Sequence, residues 1–123
     1  MSFFHSLGSS FKHAWDGLMV AFKEEQSFRI QLFAGLLVAV LALFLPLQRW
    51  ERSIVILVIA AVLVLELLNS IVERFVDMLK PRVHEYARQI KDLSAAVVFL
   101  VALTAVILAI VIFWPYLYLL VRL

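Results

Sequence analysis

The chain has 123 residues, of which 65% are hydrophobic, and its net charge at pH 7 is only +2. Soluble domains contain about 45–50% apolar residues, so this composition predicts a single integral membrane domain over residues 1–123. The lack of cysteine excludes disulfides and thiolate metal sites, and the lack of a large basic cluster argues against a nucleic-acid partner.

The first predicted element is an amphipathic helix over residues 6–26. Its apolar side chains recur at intervals of three and four residues, the spacing of one helical face: Phe11, Trp15, Leu18, Met19 and Phe22. This stripe suits a surface helix lying in the membrane interface. It suits equally a helix packed against membrane-spanning segments, and the sequence leaves both alternatives open.

Three membrane-spanning helices are predicted after this surface helix. They cover residues 29–48, 53–79 and 93–121, because each range contains an apolar run long enough for a bilayer core of about 30 Å. The predicted fold class is therefore all-α, integral membrane, with three transmembrane helices and one N-terminal surface helix.

The connection between the second and third spanning helices is predicted to be polar. Proline cannot continue the backbone hydrogen-bond ladder, so Lys80-Pro81 should end the second helix. Residues 82–92 would then form the connection, and Asp92 could act as the N-cap of the third helix, since aspartate is a favoured N-cap residue.

Basic residues are distributed unevenly between the two ends of the predicted helices. Eight lie at the end that carries the N-terminus and the second connection: Lys12, Lys23, Arg29, Arg74, Lys80, Arg82, Arg88 and Lys91. Three lie at the other end: Arg49, Arg52 and Arg122. Because cytoplasmic segments carry the excess of lysine and arginine, the N-terminus and the second connection are predicted to be cytoplasmic.

One polar stripe interrupts the second spanning helix. At about 100° per residue, its members fall within roughly 100° of one another: Glu66, Asn69, Ser70, Glu73 and Asp77. A charge inside a bilayer costs about 3 kcal/mol or more, so an ionisable residue there indicates a functional site. The alternative is that these residues form a structural polar contact between helices, or that they are simply the water-exposed end of the helix. Three helices enclose such a stripe poorly, which favours an oligomer.

The carboxylates and a lysine together suggest phosphoryl transfer. Carboxylates from separate helices can hold Mg²⁺, a lysine can neutralise phosphate charge, and a partly desolvated Glu66 suits a general base. Glu24 and Glu25, at the junction between the surface helix and the first spanning helix, could instead be only a solvated interfacial pair. His84 has no partner at a metal-site spacing, which favours a surface or nucleotide-contacting role. With three glycines, the chain has no glycine-rich phosphate loop.

Two motifs resemble a known family. Residues 66–77 read Glu-Leu-Leu-Asn-Ser-Ile-Val-Glu-Arg-Phe-Val-Asp, and residues 91–98, after His84, read Lys-Asp-Leu-Ser-Ala-Ala-Val-Val. At this separation they closely resemble the signature of the small prokaryotic diacylglycerol kinases, a family that includes undecaprenol kinases. The resemblance covers about residues 10–114.

This resemblance implies a homotrimeric lipid kinase of the bacterial inner membrane that transfers the γ-phosphoryl group of MgATP to a lipid hydroxyl. It implies that Glu66 is the general base and that Asn69 and Ser70 help to position the substrate. It further implies that Glu25 and Glu73 hold Mg²⁺ with ATP. The other residues implied to contact nucleotide and phosphate are Asp77, His84, Lys91 and Asp92.

Two classes of function remain. The first is an ATP-dependent lipid kinase, with diacylglycerol slightly favoured over undecaprenol as the acceptor. Both lipids are candidates because both offer a primary hydroxyl at the interface. The second is a non-catalytic membrane protein whose acidic stripe binds a partner helix or cations.

Overall fold

Helix-favouring residues dominate the whole chain, and the computed structural model, which describes residues 2–79, 82 and 84–123, is accordingly helical. Within those residues it contains four helices: α1 Phe3–Glu24, α2 Gln26–Phe44, α3 Arg49–Leu79 and α4 His84–Arg122. The all-α prediction is confirmed.

Three of these helices, α2, α3 and α4, are long and apolar enough to cross a membrane. They contain 19, 31 and 39 residues, which at about 1.5 Å per residue span a bilayer core or approach it closely. The helices indicate a multi-pass membrane protein, as the apolar runs predicted.

The start of α4 corrects one prediction. Residues 82–92 were predicted as a polar connection with Asp92 as an N-cap, but α4 begins at His84 and Asp92 lies inside it. Residues 84–92 contain neither glycine nor proline, so their polarity reflects an exposed helical extension and does not break the helix. The predicted break at Lys80-Pro81 lies outside the described residues, although α3 ends at Leu79.

Helix α1 starts earlier than predicted and packs on α2 only near its end. It begins at Phe3, where the Ser2 side chain accepts a hydrogen bond from the His5 amide at 3.3 Å. The Phe22 ring meets the Phe33 ring of α2 edge-on, with centroids 6.3 Å apart. At the other end of the stripe, Phe11 is 70% exposed. Within the chain, most of the apolar stripe of α1 is therefore uncovered.

Polar contacts fasten the helices at the end of the bundle opposite the acidic stripe. The Gln48 amide donates to Glu51 Oε1 at 2.9 Å, in the manner of a capping box at the start of α3. The Glu51 carboxylate also accepts a hydrogen bond from the Tyr116 hydroxyl of α4. Arg52 Nη2 donates to the Leu45 carbonyl at the end of α2, at 3.1 Å. These contacts join α2, α3 and α4.

Close packing in the middle of the bundle depends on Gly35 of α2. A Cβ atom at this position would lie 3.0 Å from Cγ2 of Ile59 on α3, closer than side chains normally approach. Small residues allow such helix approaches in membranes, where lipid is as apolar as the side chains and association depends on packing. The lack of a side chain at Gly35 therefore sets the α2–α3 separation.

Gly35→Val is expected to destabilise the protein, because the added methyl groups would push α2 and α3 apart. Overpacking of this kind typically costs about 1–3 kcal/mol. The unfolding temperature in detergent measures the effect. Gly8→Val is the matched control, since nothing lies within 4 Å of a Cβ atom there. Equal unfolding temperatures for the two variants would contradict the packing argument.

Candidate functional site

The polar stripe of α3 is buried at one end and exposed at the other. Glu66 is 5% exposed and Ser70 is 8% exposed, although both lie in a helix with an apolar run long enough to cross a membrane. Asp77 lies two turns or more further along, where its side chain is 55% exposed. The predicted common face therefore exists, and it leads from an enclosed carboxyl group to the surface.

Glu25 reaches this face from a break between two helices. It separates α1 from α2 with an extended backbone, φ −111° and ψ 103°, and its amide bonds to the Ala21 carbonyl at 2.9 Å. Arg29 fixes the break by donating to the Phe22 and Lys23 carbonyls, at 2.7 and 3.0 Å, which are left without helical partners at the end of α1.

Three carboxylates converge at this place. Glu25 and Glu73 lie close enough to Glu66 for their negative charges to interact with it. Within residues 2–79, 82 and 84–123, no group of three or more metal-binding side chains is arranged to hold an ion by itself. Mg²⁺ nevertheless needs only one or two carboxylates when water and phosphate oxygens supply the other ligands. The two residues predicted as metal ligands, Glu25 and Glu73, match that number of carboxylates, and their metal role stays a prediction.

Asn69 connects the carboxylates to α4. Its Nδ2 donates to Glu73 Oε1 at 3.3 Å, and its Oδ1 accepts from Ser94 Oγ of α4 at 2.7 Å. The amide thus orients Glu73 while its own orientation is set by Ser94. Sequence reasoning missed Ser94, which the Lys-Asp-Leu-Ser motif contains without indicating its partner. Ser70 donates to the Glu66 carbonyl at 3.2 Å, a contact within α3.

The exposed end of the stripe is paired with α4. Lys91 Nζ lies 2.5 Å from Asp77 Oδ1, with the two side chains 29% and 55% exposed. Lys91 lies within α4 because this helix begins at His84. The Lys91 side chain can therefore reach Asp77 from a helix that runs alongside α3. His84 and Asp92 lie exposed on the same part of α4. In the described part of the chain, their side chains form no hydrogen bond or ion pair.

Arg74 is a second residue that sequence reasoning did not select. Its Nη2 lies 2.6 Å from Glu24 Oε2 and 3.2 Å from Glu25 Oε1. The guanidinium group therefore joins α3 to the break between α1 and α2. The sequence indicated only that Arg74 contributes positive charge, since its partners lie 49 and 50 residues away.

A cavity lies between α1 and α3 beside these residues. Its volume is about 550 Å³, and its polar lining comes from Glu25, Ser70 and Arg74, with apolar walls that include Leu18 and Leu67. Small-molecule sites typically have volumes of about 300–1,000 Å³ and combine apolar walls with few polar groups. The cavity can therefore accept an amphipathic molecule next to the carboxylates.

Known proteins resemble this chain over most of its length. The family model described as prokaryotic diacylglycerol kinase matches residues 12–113. A diacylglycerol kinase of Escherichia coli strain K12 is 32% identical over 104 residues, or 85% of each chain. An undecaprenol kinase of Bacillus subtilis strain 168 is 32% identical over 106 residues, or 86% of each chain.

A diacylglycerol kinase of Synechocystis sp. is 38% identical over 99 residues. Those residues are 80% of this chain, which spans only 57% of that relative.

The matches and the three apolar helices define the class of protein, a membrane lipid kinase. The chain belongs to the prokaryotic diacylglycerol kinase family, as its two motifs predicted. It is therefore a kinase, and of the two classes of function left open by the sequence, the non-catalytic membrane protein is no longer favoured.

Ser94→Ala is expected to lower kcat/KM for lipid phosphorylation by about tenfold, the usual scale for losing a group that orients a metal ligand. The variant releases Asn69 Oδ1, so Glu73 loses its fixed orientation. Thr104→Ala is the control, because among the residues that the structure describes Thr104 Oγ1 bonds only the Leu100 carbonyl of its own helix, at 2.9 Å. Equal kinetics for the two variants would show that the Ser94 contact does not support the site.

Proposed function

We propose that this protein transfers the γ-phosphoryl group of MgATP to the primary hydroxyl of diacylglycerol, giving phosphatidic acid. The observation that carries this proposal is the burial of Glu66, 5% exposed, on the same helix face as Asn69 and Glu73. A family of lipid kinases supplies the reaction type, and the acidic face supplies the groups that such a reaction needs.

Glu66 is the proposed general base. A lipid hydroxyl is a weak nucleophile until its proton is removed. A positioned carboxylate can accept that proton as the new phosphorus–oxygen bond forms, while the bond between the γ-phosphorus and the bridging oxygen of ATP breaks and ADP leaves. Burial of Glu66 supports this role, because a carboxylate poorly solvated by water binds a proton more readily than an exposed one. Asn69 and Ser70, one turn further along α3, are proposed to position the lipid headgroup.

Glu25 and Glu73 are the proposed ligands of Mg²⁺. When bound there, the ion would supply positive charge that offsets the negative charge of the phosphates during transfer. Glu25 contributes from the break between α1 and α2, and Asn69 orients Glu73 with a hydrogen bond of 3.3 Å. Both carboxylates interact electrostatically with Glu66, which supports their assignment to the same site.

The nucleotide is proposed to bind at the exposed end of the α3 stripe and the first turns of α4. Lys91 supplies positive charge for the phosphates, and its contact with Asp77 at 2.5 Å orients it towards α3. His84 and Asp92 are proposed to contact the nucleotide from the same helix, where both are exposed. ATP and lipid would then approach the buried carboxylates from different directions.

The proposed location is the bacterial inner membrane, with the N-terminus and the site on the cytoplasmic side. The excess of lysine and arginine at the acidic end of the helices supports this orientation. A homotrimer is proposed because the family resemblance implies one and because the three spanning helices leave part of the polar stripe uncovered. Packing between copies would exclude lipid from that stripe.

Undecaprenol is the second candidate acceptor. A relative named undecaprenol kinase is 32% identical over 86% of this chain, and the Escherichia coli relative named diacylglycerol kinase is 32% identical over 85% of it. Either lipid presents a primary hydroxyl to Glu66, and the apolar walls of the site do not distinguish their chains.

Glu66→Gln is expected to lower kcat by about 10²–10⁴-fold, the usual contribution of a general base. Glutamine keeps the shape of the side chain but cannot accept the proton. The measurement is phosphorylation of diacylglycerol and undecaprenol, assayed side by side with MgATP in mixed micelles. The acceptor with the higher kcat/KM in the wild-type protein is the preferred substrate.

Glu51→Gln is the matched control, since Glu51 is also buried, 8% exposed, but lies at the opposite end of α3. It is expected to retain most of the activity. Wild-type protein that phosphorylates neither lipid would refute the proposed function, and an active Glu66→Gln variant would refute the role of the base.

Glu73→Gln is expected to raise the Mg²⁺ concentration needed for half-maximal activity by about tenfold or more, because one anionic ligand is lost. The measurement is an Mg²⁺ titration at saturating ATP and lipid. Asp16→Asn, on α1, removes one negative charge outside the site and is the control. A titration midpoint equal to that of the control would exclude Glu73 as a ligand.

A further inference from the structure

Arg74 contacts one of the two carboxylates to which the proposed function assigns the metal. Its Nη2 lies 3.2 Å from Glu25 Oε1. A guanidinium group and a divalent ion are both cations that bind carboxylate oxygens, so they compete for Glu25. Even an ion bound to the other oxygen of Glu25 would be repelled by the charge of Arg74.

Glu24 provides Arg74 with a second partner. The Arg74–Glu24 distance, 2.6 Å, is shorter than the Arg74–Glu25 distance. The Glu24 side chain is also more exposed, 58% against 23% for Glu25. Because Glu24 ends α1 and Glu25 lies in the break that follows, the two carboxylates are neighbours in sequence. The guanidinium group can keep one partner while it releases the other.

We propose that Arg74 is a positioning residue that occupies Glu25 as a placeholder cation and moves fully to Glu24 when a divalent ion binds Glu25. Glu24 thereby favours ion binding without contacting the ion. This proposal rests on the proposed function, because it takes Glu25 as a metal ligand. It adds Arg74 to the site and gives Glu24, which the sequence indicated only as a neighbour of Glu25, a specific role.

A purely structural role for the same contacts leads to different expectations. If Arg74 only braced the break between α1 and α2, then Arg74→Gln and Glu24→Gln would both disorder Glu25 and weaken ion binding. Under the placeholder proposal the two variants have opposite effects. Arg74→Gln removes the competitor and strengthens ion binding, whereas Glu24→Gln leaves Arg74 with Glu25 alone and weakens it.

The effect of charge alone must also be separated from competition. Removing any nearby positive charge strengthens cation binding, and removing a negative charge weakens it, but such long-range effects are additive. Competition is not additive, since Glu24 acts only through Arg74. The Glu24→Gln effect should therefore shrink in the double variant that also carries Arg74→Gln. Lys23→Gln measures the background effect of removing one positive charge at the end of α1.

The experiment titrates Mn²⁺ into purified wild-type and variant proteins saturated with a non-hydrolysable ATP analogue, and follows free Mn²⁺ by electron paramagnetic resonance. The analogue without protein provides the blank. We expect Arg74→Gln to bind Mn²⁺ about two- to fivefold more tightly than wild type, the scale of a partly exposed ion pair. Glu24→Gln should bind it more weakly by a similar factor. The Mg²⁺ dependence of activity should shift in the same directions.

Several results would overturn the proposal. Weaker Mn²⁺ binding in both variants would indicate a structural brace, and a shift in Arg74→Gln no larger than in Lys23→Gln would indicate long-range charge alone. An undiminished effect of Glu24→Gln in the double variant would also exclude competition. Each of these results leaves the kinase function intact if wild-type protein binds Mn²⁺ and phosphorylates lipid. Failure of the wild type in both assays would instead refute the proposed function itself.

Discussion

The burial of Glu66 inside an apolar helix imposes the constraint on which the rest of the site depends. A carboxyl group with 5% exposure is poorly solvated, and the neighbouring carboxylates of Glu25 and Glu73 add like charge to it. Such an arrangement is unfavourable unless protons, cations or the groups of a substrate compensate it. A reaction that brings a divalent ion with phosphates and takes a proton from a hydroxyl supplies that compensation. Under the proposed function, the destabilising feature of the fold is thus also its chemical centre.

Polar contacts hold the helices together around this centre. At the acidic end, Arg74 joins α3 to the α1–α2 break, and Lys91 joins α4 to α3 at 2.5 Å. At the other end, Glu51 joins α3 to Tyr116 of α4. Between the two ends, packing depends on close approach at Gly35, because lipid surroundings provide no hydrophobic drive for helices to associate. The helices are therefore joined by ion pairs at one end of the bundle and by hydrogen bonds at the other. In the middle they are held by close packing of small and apolar side chains.

The helical architecture could be predicted well, because each spanning helix needs only a long apolar run and helical periodicity. The prediction of a connection was wrong for residues 84–92, since polarity does not distinguish a loop from a helix that extends beyond the apolar region. That error mattered for the site: a helix starting at His84 presents Lys91, which was predicted to lie in the connection, to α3 in a fixed orientation. The shared face of Glu66 and Glu73 could be predicted, because their separation of seven residues is about two helical turns.

The sequence by itself determined the number of spanning helices, the acidic face of α3 and, through its two motifs, the family. Periodicity and local spacing suffice for these, since they involve residues close together in the chain. Only the tertiary structure decided the contacts that surround that face: Ser94 on Asn69, and Arg74 between the carboxylates of Glu24 and Glu25. Those contacts join residues 25 to 50 positions apart, and they depend on the separation and rotation of packed helices, which local patterns do not encode.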